Sequence, residues 1–369
     1  MDNLHCANRV LTLARPGQGS QSLRAWDAAD EQLIETARAR WRPGDSLAVV
    51  DDAFGALTLG LAEFHPVSVA DSAGLISGLA LNSEPNGLTP PRVDNWRSPP
   101  VGPFRLVVLR IPRQLDYLDY LLRWANEVLA PDGLLIAAGM IKHIPDRSAE
   151  LFGQRVHTEQ VHPARKKARL IECRPGKATL SGWDRLWLGY PMPGSDQLLR
   201  ALPAVFSRER LDPGAARIQP HVRRLAGNLP QGKVLDLACG NGVLGLTALL
   251  ANRSLALTFV DISSQAIASV ERMVARFTAP VLLHHDGVPP DLGQFDLILL
   301  NPPFHEGGVV GDHIALRLFA QARRHLRPGG TLILVGNRHL GYHRSLKRHF
   351  ATVRQVDADS RFVVFEASY

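Results

Sequence analysis

Cysteine, long apolar runs and metal-binding spacings are scarce in this 369-residue sequence. Its 3 cysteines, Cys6, Cys173 and Cys239, lie far apart and its 14 histidines are scattered, so we expect free thiols, a reducing cytoplasm and no metal site. No apolar run approaches the ~20 residues that span a membrane, and the N-terminus lacks the apolar segment of a signal peptide. A hydrophobic content of 45% predicts a soluble globular protein, and the length predicts two domains.

Acidic residues are absent from a long stretch near the C-terminus. Residues 313–356 contain no Asp or Glu but nine Lys or Arg, among them Arg338, and five His. Charge of one sign over such a length favours a nucleic acid as partner over a small acidic substrate. A second basic run lies earlier in the chain: Arg165, Lys166, Lys167 and Arg169. Runs of this kind are mostly solvated surface, so this run alone would not indicate a binding site.

Polar residues follow four predicted strands in the second half of the chain. Apolar runs typical of buried parallel strands lead to Asp236, Asp261, Asp286 and Asn301. The carboxyl ends of parallel strands meet at one edge of an open α/β sheet, and ligands bind at that edge. We therefore expect these four side chains to line one site.

A glycine loop follows the first of these strands. In residues 236–242, Gly240 and Gly242 let a ligand approach the backbone closely before a helix begins, and the helix start supplies free N–H groups. Asp261 is placed to hold ribose hydroxyls, and Asp286 could accept a hydrogen bond from an adenine amine. The pattern predicts a site for an adenosine-containing cofactor.

Two classes of cofactor are compatible with the loop. Gly240, Gly242 and Gly245 satisfy the dinucleotide pattern of an oxidoreductase that uses a nicotinamide cofactor. In that case Asp236 would lie beside a pyrophosphate, where its negative charge is unfavourable. A methyl donor that carries a sulfonium and an ammonium group suits this carboxylate better, so the sequence favours methyl transfer.

The tetrapeptide Asn301-Pro302-Pro303-Phe304 suits methylation of a planar amine. The amide oxygen of Asn301 and the carbonyl oxygen of Pro302 can each accept one N–H, which frees the nitrogen lone pair. Two consecutive prolines preset the backbone. Phe304 offers a flat face on which a flipped-out or single-stranded base can stack. Adenine N6, cytosine N4 and guanine N2 all remain possible acceptors at this point.

The first half of the chain contains a degenerate copy of this pattern. Residues 46–55 parallel residues 233–242, and residues 104–112 parallel the approach to Asn301. The chemistry is not retained, because Arg110 stands where the asparagine would be. We therefore expect the first copy to bind no cofactor and either to support the second copy or to recognise the substrate.

This duplication predicts an α/β fold of two tandem Rossmann-like, methyltransferase-type domains. The expected divisions are a degenerate domain at residues 1–143, a basic Pro/Gly-rich linker at residues 144–203 and a catalytic domain at residues 204–369.

Asp212 lies before Pro213 in the pattern of a helix N-cap followed by proline at the first helical position.

Residues 206–369 resemble a class I S-adenosylmethionine-dependent methyltransferase in the order of the glycine loop, the strand-end carboxylates and the Asn-Pro-Pro-Phe motif. The family usually has glycine where this chain has Ala238. The resemblance implies S-adenosylmethionine as cofactor. It assigns these cofactor-binding residues: Phe206, Asp236, Ala238, Gly240, Gly242, Asp261, Ile262 and Asp286. It assigns these catalytic residues: Asn301, Pro302, Pro303 and Phe304.

A finer resemblance covers nearly the whole chain. The tandem layout and residues 205–215 and 301–305 resemble bacterial ribosomal RNA guanine-N2 methyltransferases. Four further segments resemble the large-subunit branch of that family: residues 23–31, 51–57, 166–171 and 337–340. This resemblance implies guanine N2 in protein-free 23S RNA as the substrate. We also expect a monomer, and RNA contacts by the basic run and Arg338. The alternatives are the 16S branch and a non-catalytic RNA-binding scaffold.

Overall fold

The computed structural model describes residues 2–6, 9–17, 24–275, 277, 280–303, 305–306, 309–310 and 313–369. The chain divides into two compact units, Met1–Leu186 and Trp187–Tyr369.

The first unit is an α/β structure built around one large sheet. Its strands are β1 (Asp2–Cys6), β2 (Arg9–Leu13), β3 (Leu47–Val50), β4 (Val67–Val69), β5 (Val93–Asp94), β6 (Phe104–Arg110), β7 (Leu129–Met140), β8 (His157–Val161) and β9 (Ala168–Arg174). Its helices are α1 (Ala28–Arg40), α2 (Ala56–Gly60), α3 (Gly74–Asn82), α4 (Leu115–Val128) and α5 (Ser148–Arg155). Short 3-10 helices lie at Ala62–Phe64, Glu84–Asn86 and Ile141–His143.

The second unit repeats this architecture. Its strands are β10 (Leu188–Pro191), β11 (Leu198–Ala201), β12 (Lys233–Leu237), β13 (Ala256–Asp261), β14 (Val281–His284), β15 (Phe295–Leu300), β16 (His305–Glu306), β17 (Val309–Val310), β18 (Leu326–Asn337), β19 (Thr352–Ala358) and β20 (Phe362–Ser368). Its helices are α6 (Pro213–Asn228), α7 (Val243–Ala251), α8 (Ser264–Val274), α9 (His313–His325) and α10 (Tyr342–Leu346). A short 3-10 helix lies at Arg338–Leu340.

The two large sheets have the same strand order. The first runs β5-β4-β3-β6-β7-β9-β8 and the second β14-β13-β12-β15-β18-β20-β19, each with seven strands. In the second sheet the first five strands are parallel, whereas β20 is antiparallel to both β18 and β19. The first sheet pairs in the same way. The prediction of two tandem Rossmann-like domains is confirmed.

Helices cover both faces of the second sheet, which explains the continuous apolar run of β15. Leu299 packs in a cluster with Ile218 of α6 and Leu246 of α7, whereas Ile298 packs in another with Phe319 of α9. Successive strand side chains point to opposite faces, so both faces need apolar residues. Full burial of each such side chain contributes roughly 1.5–3 kcal/mol to the free energy of unfolding. A rigid central strand thus precedes Asn301.

Residues 144–203, expected to be a linker, contribute regular structure to both units. Helix α5 and strands β8 and β9 belong to the first unit, where β9 pairs with β7. The hairpin of β10 and β11 belongs to the second. The five residues of β8 are all exposed, so the strand has no alternation of apolar and polar residues that the sequence could reveal.

Within the described ranges, no helix combines the length and the apolar character that crossing a bilayer requires. The same residues bring together no group of three or more His, Cys, Asp or Glu side chains that could hold a metal ion. Cys6, Cys173 and Cys239 are buried free thiols.

Candidate active site

The order of the second sheet reverses between β12 and β15. Chain succession runs outward from β12 through β13 to β14 on one side, and from β15 to β18 on the other. Leu237 and Leu300 are register partners at the carboxyl ends of the two central strands. The glycine loop and Asn301 therefore leave the sheet side by side at its topological switch point, where open α/β sheets bind ligands.

The Asn301 side chain is held in one orientation, in which its amide oxygen accepts no hydrogen bond. Its Nδ2 donates a hydrogen bond to Asp212 Oδ2 at 3.1 Å, while its Oδ1 is buried and has no hydrogen-bond partner. A buried acceptor left unpaired costs about 1–3 kcal/mol. Such an exception calls for a partner from outside the protein, and water or a ligand can supply it. A donor such as an amine N–H fits this oxygen.

The rest of the tetrapeptide is described in part. Pro302 is buried and Pro303 is exposed. Phe304 lies outside the described residues, so its role as a stacking platform stays a prediction.

Asp261 ties the glycine loop to the end of β13. Its carboxylate accepts from the Gly240 N–H at 2.7 Å and from the Ser263 N–H at 2.8 Å, one bond to each oxygen. A carboxylate has about four lone-pair sites and is a suitable acceptor for a ribose hydroxyl. At Gly240 no atom lies within 4 Å of the place that a Cβ would take. The loop is therefore open on the side where a cofactor would approach.

Ala238 departs from the usual glycine at a position with φ of 56°. This left-handed conformation costs an L-residue roughly 1–2 kcal/mol, and glycine adopts it freely. The left-handed backbone explains why glycine is usual at this position. Alanine adopts this conformation here at some cost in stability.

Asp236 is almost fully buried, with 1% of its surface exposed. Its Oδ2 accepts from the Gly245 N–H at 2.7 Å. Burial, with a further contribution from the nearby Asp261 carboxylate, raises the pKa of Asp236 to about 8. Burial alone therefore favours the neutral carboxyl, and a cationic ligand at this edge would favour the ionised form.

Gly245 has a packing role. A Cβ on this residue would lie 2.2 Å from the Phe259 ring, so glycine lets α7 approach β13 closely. Helix–strand packing explains why glycine stands at the third position of the dinucleotide-like pattern. A bound pyrophosphate is not needed to explain it.

The segment that contains Phe206 lies against the glycine loop. Asn241 Nδ2 donates to the Ser207 carbonyl at 3.1 Å and to Tyr190 Oη at 3.0 Å. The side chains of Phe206 (64% exposed) and Ile262 (41% exposed) are apolar surface in the same unit. An adenine ring is a ligand that could cover apolar groups of this kind. The predicted site did not include Asn241 or Tyr190, and only the position of Asn241 between two glycines hinted at a role.

Asp286 is held by an ion pair that the sequence did not predict. The two terminal guanidinium nitrogens of Arg317, which lies in α9, each donate to one carboxylate oxygen of Asp286. Two parallel charge-assisted bonds of this kind fix a carboxylate firmly. The predicted contact of Asp286 with an adenine amine stays a prediction and would use the remaining lone pairs.

Part of the positive charge in residues 313–356 is neutralised within the unit. Carboxylates outside that window form ion pairs with its arginines: Asp286 with Arg317, Asp296 with Arg327 and Glu366 with Arg354. Arg338 donates through Nε to the Asp359 carbonyl. Arg344, Lys347 and Arg348 remain exposed around α10. The positive surface available to a phosphate backbone is narrower than the sequence suggests.

The basic run at residues 165–169 covers the turn between β8 and β9 and the first two residues of β9, which include Arg169. Arg165 pairs with Glu35, and Lys166 pairs with Glu31 at 2.7 Å. Lys167 is exposed. Exposed ion pairs contribute only about 0–1 kcal/mol, so phosphate groups can compete for these side chains.

Family models match both halves of the chain. The RLMG N-terminal domain matches residues 1–177, and the methyltransferase small domain matches residues 197–366. Each match falls entirely within one of the two structural units.

Curated relatives match along nearly the whole length. The ribosomal RNA large subunit methyltransferase G of Aeromonas hydrophila is 38% identical, with 100% of this chain and 98% of that protein covered. The proteins of the same name from Stutzerimonas stutzeri and Klebsiella pneumoniae are 38% and 36% identical, with 96% and 100% of this chain and 96% and 98% of those proteins covered.

A solved structure supports the tandem fold. The 16S rRNA N2 methyltransferase RsmC of T. thermophilus, in complex with AdoMet and guanosine, is 22% identical with a TM-score of 0.78. It covers 100% of this chain and 97% of that one. The family matches confirm the prediction of a methyltransferase that uses S-adenosylmethionine, in preference to a nicotinamide-dependent oxidoreductase. The chain belongs to the family of the ribosomal RNA large subunit methyltransferase G proteins.

Proposed function

We propose that this protein methylates the exocyclic N2 amine of a guanine in 23S ribosomal RNA, acting as a monomer on protein-free RNA in the bacterial cytoplasm. The observation that carries this proposal is the buried, unpartnered Oδ1 of Asn301 beside Pro302, at the switch point of the second sheet. The names of the relatives support large-subunit RNA as substrate. The guanosine in a structure of the same fold supports guanine as the base.

In this proposal the side chains at the strand ends hold the cofactor. Asp261 would accept from its ribose hydroxyls, Asp236 would face its cationic end, and the apolar side chains of Phe206 and Ile262 would contact its adenine. S-adenosylmethionine, when bound, supplies a methyl group made electrophilic by its sulfonium. The open loop at Gly240 and the buried Asp236 carboxylate fit that molecule.

The chain's own contribution to catalysis is to orient the amine. Asn301 Oδ1 accepts one N–H of the guanine amine, and the Pro302 carbonyl accepts the other. With both protons held, the nitrogen becomes pyramidal and its lone pair is no longer delocalised into the ring. Such positioning, rather than a strong base, is what a direct displacement requires.

Competition between RNAs tests the choice of substrate. Equal concentrations of protein-free 23S RNA, protein-free 16S RNA and assembled large subunits are incubated with the enzyme and methyl-labelled S-adenosylmethionine. We expect label in the protein-free 23S RNA. Preferential labelling of 16S RNA would favour the alternative branch, and labelling of the assembled subunit alone would refute the protein-free substrate.

We also propose that the first unit binds RNA through the turn between β8 and β9 and through Arg169 at the start of β9. Changing Arg165, Lys166, Lys167 and Arg169 together to Ala in the full-length protein should weaken RNA binding. The slope of log Kd against log salt concentration should also decrease by about 0.9 for each duplex phosphate that these side chains neutralise in the parent. The measurement is a filter-binding titration over a series of salt concentrations.

A matched variant controls for the loss of charge in this titration. Arg42, Arg92, Arg97 and Lys177 are four exposed basic residues of the same unit that lie outside the run. Changing them together to Ala should leave the salt slope near that of the parent. Equal slopes for the parent and the variant of the basic run would remove that run from the RNA site. S-adenosylmethionine affinity should be the same in all three proteins.

Asp236→Asn separates stability from cofactor binding. The folded pKa of about 8 exceeds the unfolded value, so between roughly pH 4 and that value the native state binds more protons than the unfolded state. Parental stability therefore falls as pH rises through this window. The neutral amide avoids this loss, so the variant should gain melting temperature over the parent at pH 8 and much less at pH 5.

Cofactor affinity should move in the opposite direction, because a neutral amide cannot balance a cation. Calorimetry with S-adenosylmethionine should show weaker binding than in the parent. Asp291→Asn, which alters an exposed carboxylate of the same unit, is the control and should change neither quantity. A variant that loses stability at pH 8, or binds the cofactor as the parent does, would refute the assigned role.

A further inference from the structure

Asp212 has two contacts through one atom. Its Oδ2 accepts from the Ala215 N–H at 2.8 Å, which caps the start of α6, and from Asn301 Nδ2 at 3.1 Å. The first contact confirms the predicted N-cap. The second joins residues 89 positions apart in the sequence.

The second contact decides which atom of the Asn301 amide faces the site. An amide can turn over and exchange its oxygen with its NH2 group, and the two orientations differ little in shape. A carboxylate is an acceptor only, so it pairs with the NH2 group. The Asp212 carboxylate therefore leaves Oδ1 of Asn301 as the unpaired, buried atom. In the opposite orientation an NH2 group would face the incoming amine, and donor would meet donor.

The first unit contains a counterpart of this arrangement. Asp27 is the N-cap of α1, and its carboxylate accepts from the Ala29 N–H at 2.8 Å. It also accepts hydrogen bonds from the two terminal guanidinium nitrogens of Arg110, Nη1 and Nη2, at 2.7 and 2.9 Å. Arg110 follows Leu109 in β6 as Asn301 follows Leu300 in β15.

The register shows that these positions correspond. Leu109 pairs with Val50 at the end of β3, as Leu300 pairs with Leu237 at the end of β12. In each unit, therefore, a helix-capping carboxylate binds the residue that follows the β6 or β15 member of this pair, which is Arg110 or Asn301. In the first unit the partner is a guanidinium with no acceptor to offer, and in the second it is an amide whose oxygen is left free.

We propose that Asp212 is a positioning residue for methyl transfer, which orients the Asn301 amide so that its oxygen accepts from the target amine. This inference rests on the proposed function, since it requires that Asn301 binds the reacting amine. Asp212 acts through Asn301 and need not touch the substrate.

Two substitutions separate orientation from helix capping. In Asp212→Ser the hydroxyl still caps α6 but is too short to hold the Asn301 amide. We expect kcat to fall about 10- to 100-fold, the effect of losing one hydrogen bond to a charged group, with KM for RNA and Kd for S-adenosylmethionine near the parental values. In Asp212→Asn the amide oxygen can still accept both bonds, so most of kcat should be retained.

A double-mutant cycle tests whether Asp212 acts through Asn301. In the Asn301→Ala background there is no amide to orient, so adding Asp212→Ser should lower kcat no further. Asp27→Ser, the same change at the corresponding position of the first unit, controls for loss of a capping carboxylate. It should reduce thermal stability and leave kcat unchanged.

The outcomes separate this inference from the proposed function. If the parent enzyme does not methylate guanine N2, the proposed function is refuted. The double-mutant cycle of Asp212 and Asn301 is then measured on the amine that the parent does methylate. An unchanged kcat in Asp212→Ser overturns the inference. So does an additive cycle, or an Asp212→Asn variant as slow as Asp212→Ser, because each assigns the effect to folding or charge instead of orientation.

Discussion

Asn301→Ala should lower the single-turnover rate of methylation by about 100- to 1,000-fold, the effect of removing one preorganised hydrogen-bonding group from an enzyme transition state. The amide oxygen is buried and unpaired, and it accepts from the reacting amine in the proposed mechanism. Substrate and cofactor affinity should change far less than the rate, because the bond matters most as the nitrogen becomes pyramidal. Rapid-quench measurement with enzyme in excess over RNA gives this rate directly.

Asn252→Ala provides a matched control for Asn301→Ala. The Asn252 side chain donates to the carbonyls of Ala226 and Leu229 in the same unit, so its removal tests the loss of a structural amide. This control should lose thermal stability and keep the parental rate. If Asn301→Ala methylates RNA as fast as the parent, the assigned role of the amide is wrong.

Asp261→Ala should weaken S-adenosylmethionine binding by about 1.5–3 kcal/mol, roughly 10- to 150-fold, the usual contribution of a hydrogen bond to a charged group. The carboxylate would bind ribose hydroxyls, and it also accepts from Gly240 and Ser263. Its removal therefore eliminates a ligand contact and releases the glycine loop from β13. Calorimetric titration with the cofactor measures the effect.

Two comparisons identify the cause of the change at Asp261. RNA affinity without cofactor should remain near the parental value, since the carboxylate does not face RNA in the proposed mechanism. Asp261→Asn keeps one acceptor oxygen and should fall between the parent and the alanine variant. An unchanged dissociation constant for Asp261→Ala would place the ribose site elsewhere.

The sequence predicts the repeated frame because parallel strands buried on both faces leave continuous apolar runs. The run that ends at Leu300 and the glycines after β12 each lie within a short segment, so a local sequence pattern is enough to predict them. The predicted edge is the one where the structure brings together Asp236, Asp261 and Asn301. These features depend on short segments and on rules that hold for any open α/β sheet.

Contacts between distant segments could not be predicted in this way. Asp212 has the sequence pattern of a helix cap, and nothing local indicates that its carboxylate also holds Asn301. The acid-free window at residues 313–356 suggested a wide positive surface. Folding brings carboxylates such as Asp286 and Glu366 to its arginines, which a count along the chain does not register.

The identity of the methylated nucleoside tests the central claim most directly. Protein-free 23S RNA is incubated with enzyme and methyl-labelled S-adenosylmethionine, digested to nucleosides and separated by chromatography with mass detection. We predict that the label appears as N2-methylguanosine with the parent enzyme, and that Asn301→Ala yields a small fraction of it in the same time. Label in N6-methyladenosine or N4-methylcytidine, or equal product from both enzymes, would contradict the account.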